Sequence, residues 1–403
     1  MNPTDHAVNY SKDYLSGNSK KLPKQLNLIG WAMLVVGLIA IAASFFVDRT
    51  RSSFNLLILL MFLLSIGLGS LFLVALEYVA GAVWSTPVRR VSEFLSSALI
   101  FLPIVAIGLI FNMHELYHWT HAEAVMNDKI LSQKTAYLNN TFFIIRVVLF
   151  ILIWVSFYFF IIRNSRQQDT TKDQLLTKRN ITLSAIFMPL FAITITFAAV
   201  DWMMSLEPHW YSTIFGVYYF SGTVLAALAA TTLIVVLLRQ RGYFPVLLLQ
   251  DHLYSLGALM FAFVNFWAYI AFSQYLLIWY ANIPEETSWM LLRWSGSWKY
   301  VSIGLIIVHF IIPYFSLLSQ PAKMNPKRLL IMSVWILFAH LYDLYWIIMP
   351  TYSRSSAVFG WMELLFPVAV IGFLIILFTY KSRSNNLIPI GDPKLERGIN
   401  FRL

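Results

Sequence analysis

This sequence predicts an all-α integral membrane protein with about ten transmembrane helices. Three observations carry that expectation. Of 403 residues, 59 % are hydrophobic and 12 % charged, whereas soluble domains carry about 25 % charged residues. Continuously apolar runs recur ten times along the chain, and a hydrocarbon core of roughly 30 Å needs about 20 helical residues. Lys and Arg also alternate between successive loops, 21 on one side and 6 on the other, with Arg146 and Lys299 at helix ends.

The runs fall at 28–47, 54–78, 94–113, 142–162, 181–200, 213–238, 256–280, 300–318, 329–349 and 359–380. Buried in lipid, the backbone of each must satisfy itself, so each is expected to be a helix. An outer-membrane barrel is excluded because its strands alternate over about ten residues. The first run follows a polar segment, 1–27, that carries Lys12, Lys20, Lys21 and Lys24. Its apolar core is too long for a secretory signal, so it reads as a retained anchor. Pro103, Pro189, Pro313 and Pro367 fall inside runs, where neighbouring helices tolerate kinks. The organisation is then an N-terminal segment 1–27, a membrane domain 28–380 and a tail 381–403.

An even number of spans places both termini on one side, and the basic excess there makes that side cytoplasmic. The segment 114–141 is expected outside the cell. The charged segment 163–180 is expected to be a solvated cytoplasmic linker. The net charge of +10 sits in loops that flank the membrane, so nucleic acid is not an expected partner, and membrane lipids are. Cysteine is absent, which excludes disulfides, Cys-ligated iron–sulfur clusters, covalent haem attachment and lipidated Cys. No cofactor is expected to be bound covalently.

An ionisable group inside a bilayer costs at least about 2.5 kcal/mol, so it is a functional candidate by default. The candidates within or at the ends of the spans are Glu77, His309, His340, Asp343, Asp201, Arg146, Lys299 and Glu363, and Asn265, Tyr269, Ser273 and Gln274 line the seventh span. His340 and Asp343 are three apart and share one helix face. A carboxyl group beside an imidazole can hold and pass a proton, or the pair can be interhelical glue. His309 and His340 could instead ligate one b-type haem. His114-Glu115-Leu116-Tyr117-His118 matches the zinc-hydrolase pattern, in which one helix face presents both His. It lies, however, in an aromatic interfacial zone, with no domain to form a cleft.

Longer strings carry a resemblance. They are Asp201–Phe220, Phe266–Gln274 continuing to Glu286, His340-Leu-Tyr-Asp343-Leu-Tyr-Trp346 with Pro350, and Trp84-Ser-Thr-Pro-Val-Arg-Arg90. Together they resemble the second large membrane subunit of alternative complex III, a bacterial quinol:cytochrome c oxidoreductase, within the NrfD/polysulfide-reductase-like family. The resemblance covers roughly residues 28–380. It implies two four-helix bundles plus peripheral helices in the bacterial cytoplasmic membrane. It further implies a sister NrfD-like subunit, periplasmic Fe–S and haem c subunits, and in some complexes a terminal oxidase. Haem and Fe–S then belong to the partners, and a quinone such as menaquinone lies nearby. The expected role is to shape the membrane arm and carry protons. One half-path would run near Glu77, His309, His340 and Asp343, and an outer one would involve Arg146, Asp201, Glu207, His209 and Lys299. A secondary transporter and a purely structural anchor are the alternative classes.

Overall fold

The computed structural model describes residues 22–243 and 250–403. Most of segment 1–27 therefore lies outside the described residues. Among them no strand occurs, and ten helices are long and apolar enough to cross a membrane. We number these α1 Lys24–Val47, α2 Arg49–Ala80, α3 Arg89–Phe111, α4 Asn140–Thr171, α5 Gln174–Leu206, α6 Phe215–Gln240, α7 Gln250–Ala281, α8 Trp298–Leu317, α9 Pro326–Tyr352 and α10 Trp361–Ser384. The chain is a multi-pass membrane protein.

Polar residues set where the helices start and stop. The Asp48 side chain accepts the Arg51 N–H at 2.8 Å and opens α2. Gly81, at φ +66°, closes it in the left-handed conformation that suits glycine. Asn139, Asp173 and Asn325 cap α4, α5 and α9 in the same side-chain manner as Asp48. At the other end of the chain, Arg51 donates to Glu363 at 2.9 and 2.6 Å, and Asn55 donates to it at 2.9 Å. This ties the start of α10 to the start of α2.

Two helices form the axis. The membrane window of α2 is 94 % buried and that of α6 is 83 % buried. α2 packs against α3, α5, α6 and α9, and α6 packs against α2, α5, α7 and α9. Small residues allow the central pair to touch: a Cβ on Gly69 would lie 2.7 Å from the Thr223 carbonyl oxygen. α1 packs mainly against α10. Gly30, Gly37 and Gly372 stand at that contact, in keeping with the use of small residues where membrane helices meet closely.

One expectation needs correction. Segment 163–180 is not a solvated linker. It is helix on both sides of a two-residue break at Lys172 and Asp173, and Ser165, Gln168, Thr177 and Asn180 within it are buried. The tail after α10 is also packed, with Leu387, Ile388, Leu395 and Ile399 buried. The His252 ring, on α7, is hydrogen-bonded through Nε2 to the Gly398 carbonyl oxygen at 2.8 Å.

Proline leaves a signature in α9. Without an N–H, Pro350 cannot bond the Trp346 carbonyl four residues earlier. Arg293, from the short helix Pro284–Trp294, fills the gap. Its guanidinium donates to the carbonyl oxygens of Trp346 at 3.1 Å, Ile347 at 2.6 Å and Trp289 at 3.0 Å. It also stacks 3.4 Å from the Trp289 ring. Burial pushes the Arg293 guanidinium down to about 9. Nothing in the sequence spacing links position 293 to position 346.

Candidate functional site

Halfway along α9, His340 and Asp343 turn toward α2 and α6 and are almost wholly buried. The His340 ring, through Nε2, is hydrogen-bonded to Ser65 Oγ of α2 at 2.9 Å. Ser65 lies 3.0 Å from the Tyr219 hydroxyl and 3.3 Å from Thr223 Oγ1, both on α6. The Tyr219 hydroxyl donates to the Met61 carbonyl oxygen at 2.8 Å. Asp343 accepts a short hydrogen bond from the Tyr218 hydroxyl and a second, at 3.1 Å, from Trp267 Nε1 of α7. Neither donor is a cation. A lone carboxylate in apolar protein is costly unless it is paired or protonated.

His309 completes the cluster from α8. It sits in a single π-helical turn, Ile306–Ile311, a distortion frequent at functional sites. Pro313 lacks the N–H that would bond the His309 carbonyl four residues back. Trp335 Nε1 meanwhile donates to the Val308 carbonyl oxygen at 2.8 Å. The Trp267 ring stacks on His309 with centroids 3.7 Å apart. Ligand-type atoms of His309, His340 and Asp343 all lie within 4.8 Å of one another. Both ring nitrogens of His309 and Nδ1 of His340 are buried with no hydrogen-bond partner. Orphaned polar atoms of this kind call for water, a proton carrier or an ion.

Gly222 of α6 lies close against these groups. A Cβ there would lie 3.0 Å from both Cε1 and Nδ1 of His340 and 3.8 Å from an Asp343 carboxylate oxygen. Two imidazoles and one carboxyl group are also a donor set that a divalent metal can take. Here, however, the carboxyl oxygens already have two donors and His309 lies flat against Trp267.

The sequence strings behind the resemblance meet here. Tyr218 comes from the 201–220 string, Trp267 from 266–274, and His340 and Asp343 from 340–346. The fourth string supplies Arg89 and Arg90 to a separate ionic cluster. Arg89 lies 2.8 Å from Glu77, 3.1 Å from Glu93 and 2.8 Å from Asp392. Arg90 lies 2.5 Å from Glu93 and 2.6 Å from Asp169. Glu77 is therefore not beside His309, His340 and Asp343. It belongs to a buried ion network that joins α2, α3, α4 and the tail. Position 77 was visible in the sequence, but Glu93, Asp169 and Asp392 were not singled out: Asp169 and Asp392 pair across long stretches of chain, and Glu93 pairs locally with Arg89 and Arg90 just outside the third apolar run.

The remaining candidates form separate contacts at the opposite ends of the helices. Arg146 donates to Asp201 at 2.6 and 3.2 Å and to the Tyr137 carbonyl oxygen at 3.1 Å. Glu207 pairs with Arg354 at 3.0 Å. His209 Nε2 lies 2.5 Å from Asp128. Lys299 is exposed, with the Tyr300 ring 5.0 Å away. These contacts do not join into one chain of hydrogen bonds. The zinc pattern also fails locally. The helix Met113–Leu116 ends before His118, and Tyr117 is extended, so His114 and His118 do not share a helical face. His114 instead lies 3.7 Å, centroid to centroid, from His121.

The Asp128 contact gives a pH prediction. The Leu131 N–H, together with His209 and the Ile130 N–H, holds the Asp128 carboxyl below the usual carboxylate range. A carboxyl lowered on folding stabilises its loop above the ordinary value of about 3.9. That contribution fades as pH falls through the lower folded value. Amide exchange at Ile130 and Leu131, corrected for its intrinsic pH dependence, should therefore speed up as pH drops below about 4. Asp128→Asn should flatten this response; an unchanged profile in the variant would remove the role given to Asp128.

No family model matches the chain, and no curated protein matches it.

Proposed function

We propose that this protein is a membrane subunit of a quinol-oxidising respiratory complex, and that its buried Asp343–His340–His309 cluster holds and passes protons. The carrying observation is that cluster: a carboxyl group with neutral donors only, beside three unpartnered imidazole nitrogens, at the centre of ten apolar helices. In this reading α2–α5 and α6–α9 are two four-helix bundles, α1 and α10 are peripheral, and both termini face the bacterial cytoplasm. The basic excess in alternate loops supports that orientation.

The chemistry follows from the contacts. Asp343 takes a proton on one oxygen while Tyr218 and Trp267 hold both oxygens in place. A water links it to Nδ1 of His340. His340 can exchange a proton on either ring nitrogen, and Nε2 faces Ser65, Tyr219 and Thr223. These hydroxyls both donate and accept, so they extend the route along α2 and α6. Toward the tail, the Ser92 and Thr231 hydroxyls lie 3.1 Å apart, and Ser70 and Thr232 hold buried, unpartnered oxygens. Quinol oxidation on partner subunits releases protons, and such a string gives them a route through an otherwise apolar interior.

Gly222→Ala tests the string without removing any titratable group. Alanine favours helix over glycine by about 1 kcal/mol, but its Cβ would stand 3.0 Å from two His340 ring atoms, so the protein level is measured beside the activity. Its methyl group presses on His340, 3.0 Å from Cε1 and Nδ1, and the rate of quinol-driven proton release should fall by at least about threefold, in line with the sensitivity of proton transfer to geometry. Unchanged release would place the route elsewhere. The assembly itself is tested by mild purification from native membranes. The chain should come away with haem c and Fe–S subunits, whereas a secondary transporter would come away alone.

A further inference from the structure

A groove of about 530 Å³ lies between α4 and α10, with Ile100 of α3 in its wall. α3 packs against both helices. Arg163 and Arg166 line the groove from α4, and Lys381 lines it from α10. Arg163 and Lys381 are each the first residue beyond an apolar run, 142–162 and 359–380. The three cations therefore gather where hydrocarbon gives way to headgroups. Phe159 and Ile162 continue the wall toward the hydrocarbon, and Phe159 is 51 % exposed. Positions 159, 163 and 166 share one face of α4. The groove is thus cationic at one end and apolar at the other.

The chain supplies no counter-charge to this end. Among the described residues Arg163, Arg166 and Lys381 form no ion pair, and the acids of the neighbouring network are taken: Arg90 lies 2.5 Å from Glu93 and 2.6 Å from Asp169. Tyr158 stands beside Arg166, but a phenol is neutral at pH 7. Cations at a membrane boundary ordinarily snorkel into water. Arg166 does not, because its Nε and Nη2 are buried and have no hydrogen-bond partner. A buried guanidinium with unmet donors is costly, and two more positive charges around the same groove add repulsion. An anion offsets both. Guanidinium groups bind phosphate oxygens in matched pairs, and basic pockets between transmembrane helices take anionic headgroups. The apolar end selects the source, since a free phosphate makes no use of Phe159 and Ile162, whereas an acyl chain packs on them.

We propose that this groove holds an anionic phospholipid, its phosphate between Arg163, Arg166 and Lys381 and an acyl chain along Phe159. The bound lipid ties α10 to α4 across α3. The site needs only a membrane-spanning chain, so it stands or falls apart from the respiratory role.

Native mass spectrometry of the delipidated full chain, with whatever subunits copurify, tests the site by adding back cardiolipin or phosphatidylcholine. Cardiolipin should bind at least about tenfold more tightly, since each cation near an anionic group adds about fivefold. Arg166→Gln and Lys381→Gln should each weaken cardiolipin binding about fivefold. Neither change strips an acidic partner, so both variants should fold, as thermal aggregation in detergent checks. Lys327→Gln, at an exposed cation near the start of α9, should leave binding unchanged. Equal binding of the two lipids, binding unaltered in the groove variants, or the same loss in all three variants overturns the proposal. Competition by millimolar inorganic phosphate also overturns it, because the groove would then be a free-anion site. Carbodiimide coupling of Lys381 to an acidic residue of a copurifying subunit does so too, because the groove would then be a protein contact.

Discussion

Asp343→Asn is expected to give a folded, assembled complex whose quinol-driven proton release drops by at least about tenfold. The amide matches the carboxyl group in size, and its oxygen can still accept from Tyr218 or Trp267. What it loses is the exchangeable acid proton. Positioned acid–base groups contribute about 10²–10⁴-fold to rates, and parallel routes through water set the lower bound. His340→Ala should act in the same direction. It additionally removes the hydrogen bond to Ser65 and leaves a void between α9 and α2, so its protein level must be measured beside its activity. If Asp343→Asn assembles and keeps full turnover with full proton release, the cluster is interhelical glue and the chain is a structural anchor.

The second large effect is on stability. Arg89 is the cation shared by Glu77, Glu93 and Asp392, and all four side chains are buried. Arg89→Met keeps most of the volume and removes the charge. Glu77 and Asp392 are then left without a guanidinium, although Arg90 still faces Glu93. Breaking a buried ion pair from one side costs about 3–5 kcal/mol, comparable with the whole stability of many domains. The variant should be nearly absent from membranes, or should aggregate at a clearly lower temperature in detergent. A double change, Arg89→Met with Glu77→Gln, should recover part of the loss. Equal levels of wild type and single variant would contradict the network.

The fold was legible because lipid imposes a simple rule on sequence. Each of the ten apolar runs expected from composition corresponds to a spanning helix, although several helices extend well beyond the run; α2 begins at Arg49, not near residue 54. The extensions are polar helix ends, such as Arg163–Thr171, and in an apolar-run reading these look like loop. The packing of the tail was not legible for a related reason. Its few apolar residues, Leu387, Ile388, Leu395 and Ile399, make no long run, yet they pack back on the helix ends.

At the candidate site, His340 and Asp343 stood out because both are ionisable, sit in mid-span and share a face. Their partners did not stand out. Ser65, Tyr218, Trp267 and Gly222 are ordinary membrane-helix residues whose meaning depends on which helices touch, and pairing between helices leaves no periodic trace in one sequence. Glu77 shows the converse: an acidic residue near the end of a span was a proton-path candidate, and the fold places it in a buried ion network with two arginines. Arg146 and Asp201 likewise form a clamp between α4 and α5, and Lys299 is exposed.

Infrared difference spectroscopy of the complex, recorded as quinol is oxidised, tests the proposed role of Asp343 as a proton carrier most directly. A protonated-carboxyl band should change in the wild type, shift in deuterated water, and vanish in Asp343→Asn. If the two difference spectra are superimposable in that region, Asp343 does not exchange a proton during turnover.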